Sequence, residues 1–391
     1  MSPPATQTRP GLLVGAFFFV LTVLLVPPII GHRDLPRWAL IYAGGPILAL
    51  IFCWKDNAPV KWPDLLGFGF LAFTMASLSW APDPTLGVLA LWHWAALAGL
   101  YLVGSRLVSL EPVLLGAGIG IALNSSLVLA QVIGFDGIPQ KSGPAGLFVV
   151  GNYLAEAAVL VMVALVLYRQ YFAAMLCLPA AVLPMGRGAL LALAAVGLAW
   201  VWPRSRTLAV SLLAGLVLLA IVLSNHSPHQ SSTLQRLDIW RDSVAGLTWT
   251  GSGAGSYYTL FPGHMKRHDF FESRPSHAHN DALELIYEYG PGALLLGALL
   301  SFALAGSLTP ARALLLAFVV EGIPGFPLHW PVTAALAALA LGHLCRDGAV
   351  VRGLQYYRRN YGRIRRAREF RDQGRTLRPD AGGGAAVPVR L

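Results

Sequence analysis

Long apolar stretches recur along most of this sequence, and they constrain the fold more than any other feature. A helix needs roughly twenty mostly apolar residues to cross the hydrocarbon core of a membrane. Backbone polar groups cannot remain unpaired in lipid, and the sequence lacks the alternating pattern of barrel strands, so we expect these stretches to form helices. They occur near residues 11–30, 38–54, 63–80, 85–104, 112–134, 147–168, 170–184, 188–203, 207–224, 282–306, 311–324 and 329–345.

Composition indicates the same class of protein. Apolar residues make up 55% of the chain and charged residues only 12%, which leaves too few charges for the surface of a water-soluble protein. We expect the first stretch to be a span rather than a cleaved signal peptide, because it ends in Pro27-Pro28 and lacks a small-residue cleavage site. The sequence therefore predicts an all-α polytopic membrane protein with about twelve transmembrane helices and a structured periplasmic loop.

Lysine and arginine in the short connectors predict the orientation, because cytoplasmic connectors carry an excess of both. With the N-terminus in the cytoplasm, the cytoplasmic side holds Arg9, Lys55, Lys61, Arg106, Arg169, Arg204, Arg206 and Arg312. The short connectors on the opposite side hold Arg33, Arg37, Lys141 and Arg187. Residues 346–391 carry twelve arginines and four acidic residues, and so contribute +8 to the formal net charge of +10. Topology accounts for this basic charge, and we expect no nucleic-acid partner.

This topology divides the chain into four parts. Residues 1–224 hold the first nine predicted spans, 225–280 form the structured periplasmic loop, 281–345 hold the last three spans, and 346–391 form a basic cytoplasmic tail. The cysteines Cys53, Cys177 and Cys345 lie in or at the ends of predicted spans. The sequence thus gives no sign of a disulfide framework or a thiolate metal cluster.

The long loop carries most of the polar side chains that are suited to chemistry. A helix is predicted over 233–247, and the glycine run that follows includes Gly253 and Gly255. Such a run either lets backbone amides approach a ligand or makes a tight turn. Six of the ten histidines lie in this loop: His226, His229, His264, His268, His277 and His279.

Three chemistries are open to such a loop. A metal site would use His264 and His268, four residues apart, with His277 and His279 nearby, but basic residues lie between the first two and the sequence has no His-Glu-x-x-His pattern. An intramembrane serine protease would need a reactive serine, and the sequence has no Gly-x-Ser-x-Gly. Transfer to a hydroxyl would use a histidine as base and arginines to hold an anionic leaving group, without a metal. We favour this third chemistry.

One spacing in the loop is more specific. His279-Asn280 is followed by nine residues, Asp281 to Tyr289, and then by Gly290. Three further segments belong to the same set of motifs: Arg236-Leu237-Asp238-Ile239-Trp240 before the glycine run, Gly186-Arg187-Gly188, and Gly151-Asn152-Tyr153-Leu154-Ala155. In these motifs and in its topology, the chain resembles the superfamily of O-antigen ligases and polysaccharide polymerases.

The resemblance implies an inverting, metal-independent glycosyltransferase in the bacterial inner membrane, with its active site facing the periplasm and both termini in the cytoplasm. The donor would be a glycan on undecaprenyl diphosphate, and the acceptor a hydroxyl of lipid A-core or of another glycan, with membrane lipids around both. His279 would be the catalytic base, and Arg187 and Arg236 would bind the donor diphosphate. No cofactor is implied.

Other residues are candidates for supporting roles. His277 is the second candidate for the base. One of the carboxylates Asp281, Glu284 and Glu288, which share a helix face, is expected to orient His279. The remaining candidates in or beside the loop are Arg241, Asn280, Gly253 and Gly255. Within the spans, Glu156, Glu321 and His329 are expected near the outer face, and His93 is expected to be a core histidine.

Two alternative functions stay open. A polymerase that acts on lipid-linked repeats would share the chemistry and differ only in its acceptor. A transporter of lipid-linked glycans would carry its essential charges near the middle of the bilayer. Here the charges concentrate in the loop and the sequence has no evident internal repeat, which favours an enzyme.

Overall fold

The computed structural model describes residues 8–25, 34–54, 60–138, 140–141, 143–214, 230–266 and 275–346. Over these residues the chain is all-helical and has no β-strand, so the predicted helical class is confirmed. The predictions for His226, His229, His268, Arg33 and the tail fall outside the described residues, as does most of the predicted span 207–224.

The first part of the chain folds into successive helices. They are α1 (Thr8–Val23), α2 (Leu35–Cys53), α3 (Trp62–Ser77), α4 (Pro84–Arg106), α5 (Glu111–Val132), α6 (Gly151–Leu167), α7 (Tyr171–Val182) and α8 (Arg187–Val201). A further helix, α9, covers 206–214.

The second part contains shorter helices as well. They are α10 (Gln230–Ala245), α11 (Tyr257–Leu260), α12 (Asp281–Tyr289), α13 (Gly292–Leu304), α14 (Pro310–Glu321) and α15 (Pro331–Arg346). A 3-10 turn, Pro327–His329, joins α14 to α15. The helix predicted over 233–247 is confirmed as α10.

Among the residues that the structure describes, three helices, α2, α4 and α5, are long and apolar enough to cross a membrane. The other apolar helices have 10 to 17 residues, which is fewer than the roughly twenty that a span requires. The structure thus supports a membrane protein, and the count of twelve spans is not confirmed by these lengths.

The predicted span 282–306 is divided in two. The helix α12 ends at Tyr289, and α13 starts at Gly292. Gly290 has a φ of +48°, which a residue with a side chain rarely adopts, and Pro291 cannot continue the hydrogen bonding of α12. Two acidic residues of the nine-residue helix α12, Asp281 and Glu284, are buried. This short helix therefore belongs to the polar site rather than to a membrane span.

Arg37 does not lie in a connector, as the sequence predicts, but inside α2, where it is 1% exposed. Its guanidinium donates to the carbonyl oxygens of Leu21 at 3.1 Å and Leu147 at 3.0 Å. It also lies 4.3 Å from the centre of the Phe148 ring. These contacts offset the cost of removing a charge from water, so Arg37 joins three segments of the bundle and is poor evidence of orientation.

The helices α4 and α15 approach each other closely through glycine. A Cβ on Gly104 would overlap the carbonyl of Leu339, and a Cβ on Gly342 would overlap the carbonyl of Tyr101. Small residues allow such close contact between helices in membrane proteins. The contact fixes α15 against α4, and therefore fixes the turn at His329 that precedes α15.

We expect Gly104→Ala and Gly342→Ala each to destabilise the bundle, because one added methyl group forces the two backbones apart at a cost of about 1–3 kcal/mol. The measurement is the thermal unfolding temperature of the full-length protein in detergent. Gly297→Ala is the matched control, since a Cβ there meets nothing within 4 Å. Equal unfolding temperatures for Gly104→Ala and Gly297→Ala would contradict the close packing.

Candidate active site

The start of α12 is fixed to the connection between α14 and α15. Asn280 caps the helix, since its Oδ1 accepts the amide of Leu283 at 2.9 Å. The amide of Asp281 donates to the carbonyl of Gly322 at 3.0 Å, and its Oδ2 accepts the amide of Leu328 at 3.0 Å. Asn280 and Asp281 thus position the segment that carries the two candidate histidines.

The carboxylate of Glu284 is the centre of this segment. Its Oε1 lies 3.0 Å from Nδ1 of His277 and 3.0 Å from Nε2 of His329. Its Oε2 accepts the amide of Ala278 at 2.8 Å. Burial raises the pKa of Glu284, but the two histidines outweigh burial and hold that pKa below its usual range.

The sequence predicts that one of the carboxylates Asp281, Glu284 and Glu288 orients His279, but in the structure each of them has another partner. Glu284 orients His277 instead. Asp281 is occupied by the amide of Leu328, and the carboxylate of Glu288 accepts the amides of Gly255 and Tyr257. Of the two candidates for the base, His277 is thus the one held by a carboxylate.

His279 has a different environment. Its φ is +50°, in the left-handed region, and its ring meets the Phe326 ring edge-on at 4.6 Å between centres. Burial, together with the nearby charges of Arg236 and His277, lowers the pKa of His279 to about 4, with Glu284 acting in the opposite direction. The imidazole is therefore neutral at pH 7 and able to accept a proton.

The two predicted anion-binding arginines lie near each other, and Arg236 is also near His279. Arg187 is the first residue of α8, and Arg236 lies in α10. Burial lowers the pKa of Arg236, the charge of Arg187 lowers it further, and Glu156 raises it. Two guanidinium groups this close repel each other, and a bound anion would relieve that repulsion.

Two buried carboxylates border the arginines. Oε1 of Glu156 lies 3.3 Å from where a Cβ on Gly188 would stand, and the backbone of Glu321 lies against the same glycine. Oε2 of Glu156 and both carboxylate oxygens of Glu321 have no hydrogen-bond partner among the described residues. The structure thus brings Glu156 close to Arg187 and Arg236.

Three of the predicted supporting residues serve other purposes. Arg241 is half-exposed and pairs with Asp238 at 3.0 Å and with Asp242 at 3.1 Å on its own helix. The amide of Gly253 donates to the carbonyl of Glu288 at 2.9 Å, and Gly255 donates to its carboxylate at 3.2 Å. The amides of the glycine run are used inside the protein, so the tight-turn interpretation describes it.

A cavity of about 310 Å³ opens beside His277. Aromatic rings of α2, α4, α11 and α12 and several polar groups line it. His93, which the sequence places in the core, lines this cavity, with its Nδ1 3.4 Å from the hydroxyl of Tyr42. The polar lining residues include His93, Ser276, His277, Asp281, Glu284, Glu288 and His329.

A second cavity of about 230 Å³ is almost entirely apolar and lies among α3, α4, α13, α14 and α15. Asp64 and Tyr101 lie at its lining from α3 and α4, and Asp281 lines both cavities. The start of α12 therefore borders an apolar space and a polar one. Sequence reasoning missed this arrangement, since it depends on helices far apart in the chain.

Comparison with protein-family models finds no family that matches this sequence, and comparison with curated proteins finds no matching relative.

We expect Arg236→Gln to raise the pKa of His279, because the substitution removes a positive charge that opposes protonation. The pKa should stay below its ordinary value, since burial remains. Arg241→Gln is the matched control on the same helix, where two carboxylates already balance the charge. The measurement is an NMR titration of protein with isotope-labelled histidine, with the His279 signal assigned by its loss in His279→Gln. An unchanged His279 titration in Arg236→Gln would show that the two side chains do not interact.

Proposed function

We propose that this protein is a membrane glycosyltransferase that moves a glycan from a polyprenyl diphosphate to a hydroxyl, as an O-antigen ligase does. One observation carries the proposal: Arg236 lies near both the neutral histidine His279 and the second arginine, Arg187. Transfer from a lipid diphosphate needs a base for the acceptor proton and cations for the leaving group. The three side chains supply both.

In the proposed reaction, the acceptor hydroxyl gives its proton to His279 while its oxygen attacks the anomeric carbon of the donor sugar. The bond from that carbon to the phosphate oxygen breaks, and its electron pair leaves with the diphosphate. Arg187 and Arg236 bind the diphosphate through charge-assisted hydrogen bonds. A single displacement of this kind inverts the configuration at the anomeric carbon, and it needs no metal because the arginines neutralise the leaving group.

The charges of the site fit this sequence of events. His279 is neutral before reaction because of burial and of Arg236. A bound diphosphate would offset the arginine charge and so make protonation of His279 easier as the leaving group develops negative charge. The base therefore becomes stronger when the donor is present.

The membrane placement belongs to the same proposal. We place the helical bundle in the bacterial inner membrane as twelve spans, with the 225–280 loop in the periplasm and both termini in the cytoplasm. A polyprenyl chain is apolar and its diphosphate is anionic. The apolar helices α2, α4 and α5 are compatible with the polyprenyl chain, and the arginines are compatible with the diphosphate.

Two assignments within the proposal compete. A polymerase would use the same residues with a lipid-linked repeat as acceptor, and a strain that lacks the protein would distinguish the two by whether single repeats still reach the lipopolysaccharide.

His277 is the competing base, since Glu284 binds its Nδ1 in the way that a carboxylate orients a catalytic histidine. We favour His279 because it is the histidine whose pKa Arg236 lowers.

We expect His279→Ala to reduce the transfer rate by about 10²–10⁴-fold, the usual contribution of a general base. Arg236→Ala and Arg187→Ala should mainly weaken donor binding, since loss of one charge-assisted contact costs about 1.5–3 kcal/mol. Arg187→Lys and Arg236→Lys should recover only part of this loss, because an ammonium lacks the bidentate fork. The measurement is transfer by purified protein as a function of donor concentration.

Arg241→Ala is the control for charge on α10 and should transfer at the wild-type rate. Full activity in a folded His279→Ala protein would refute the assignment of the base. A larger loss in His277→Ala than in His279→Ala would move the base to His277 and leave the arginine assignment intact.

A further inference from the structure

The polar cavity beside His277 is lined by ionisable groups of a different kind from those of the arginine cluster. Its described lining includes three carboxylates, on Asp281, Glu284 and Glu288, and no lysine or arginine. Buried Oδ1 of Asp281 has no hydrogen-bond partner among the described residues. The carboxylate oxygens and imidazole nitrogens of this cavity are potential ligands for a cation, and no guanidinium or ammonium group of the described lining competes for them.

Three of the lining side chains converge in the way that metal ligands do. Nδ1 of His277, Nε2 of His329 and a carboxylate oxygen of Glu284 all lie within 4.8 Å of one another. Each nitrogen is 3.0 Å from Oε1 of Glu284. Bonds of 2.0–2.2 Å in a tetrahedral zinc site place neighbouring ligand atoms about 3.3 Å apart. The nitrogen–oxygen separations therefore need to change by only a few tenths of an ångström.

Neighbouring groups hold each of the three ligands in place. The second oxygen of Glu284 accepts the amide of Ala278 at 2.8 Å. Nε1 of Trp38 donates to the carbonyl of His329 at 3.3 Å, which fixes the turn before α15. The His277 ring stacks on Phe326 at 4.9 Å between centres. Such outer contacts orient the ligands of metal sites and raise their affinity.

We propose that His277, Glu284 and His329 bind one divalent transition-metal ion of the zinc class, with its fourth coordination position open to the cavity. Imidazole nitrogen and carboxylate oxygen are ligands that this class accepts, and three protein ligands with one open position are a common arrangement. The site differs from the pairing of His264 with His268 that the sequence suggests.

The bound ion would join the loop before α12 to the turn before α15, because its ligands come from both. It would also occupy Nδ1 of His277 in place of the hydrogen bond to Glu284. The proposed transfer step does not use this ion, since the arginines neutralise the leaving group. The metal site is thus an addition to the proposed function and does not depend on it.

The test uses the full-length protein in detergent, stripped with EDTA and then titrated with Co²⁺ or Zn²⁺ alone. We expect one ion per chain, a visible absorption band of four-coordinate Co²⁺ and a higher unfolding temperature with Zn²⁺. His329→Ala and Glu284→Gln should each reduce the affinity by at least about tenfold, as loss of a ligand exceeds loss of an outer contact. His264→Ala is the matched control and should bind as the wild type does.

Two results would overturn the proposal. One is a wild-type protein that binds no ion and shows no absorption band, which would leave a purely hydrogen-bonded triad. The other is an equal loss of binding in His264→Ala, which would place the ion elsewhere. Because the wild-type titration contains no donor and no acceptor, it fails or succeeds independently of the transferase proposal, even if the Glu284 variant does not fold.

Discussion

The arrangement of the site depends on the contacts that the carboxylate of Glu284 makes. It contacts His277 and the amide of Ala278 in the loop before α12, and His329 in the turn before α15. A buried carboxylate is costly unless hydrogen bonds or opposite charges satisfy it. Glu284 is satisfied only when these segments meet, so its burial couples the loop to the end of the bundle.

The same coupling explains how one short segment borders two opposite environments. His277 lies at an acidic cavity, whereas His279 lies beside Arg236. The left-handed backbone at His279 and the Asn280 cap set where the loop ends and α12 begins. In the proposed function, the cationic side binds the lipid diphosphate. In the proposed metal site, the acidic side binds an ion, and the two sites share the α12 segment without sharing a ligand.

Several features of the fold and of the site were predictable from local patterns in the sequence. Apolar length predicts the helical bundle, including the stretch near 188–203 that corresponds to α8, and the spacing of apolar residues predicts α10. The Gly290-Pro291 pair carried a signal for the break between α12 and α13, but the continuous apolar run obscured it. The pairing of Glu284 with His329 was not predictable, because it depends on how α14 and α15 return to the loop. The burial of Arg37 likewise depends on carbonyls from distant segments.

The most direct test of the account is a reconstituted reaction. Purified protein in liposomes receives a glycan on undecaprenyl diphosphate and a hydroxyl acceptor, with EDTA in excess, and both the glycosylated acceptor and the released undecaprenyl diphosphate are quantified. The account predicts that the two products form in equal amounts and that EDTA leaves the rate unchanged. Movement of the intact lipid-linked glycan across the bilayer without any transfer would contradict it, and would identify the protein as a transporter.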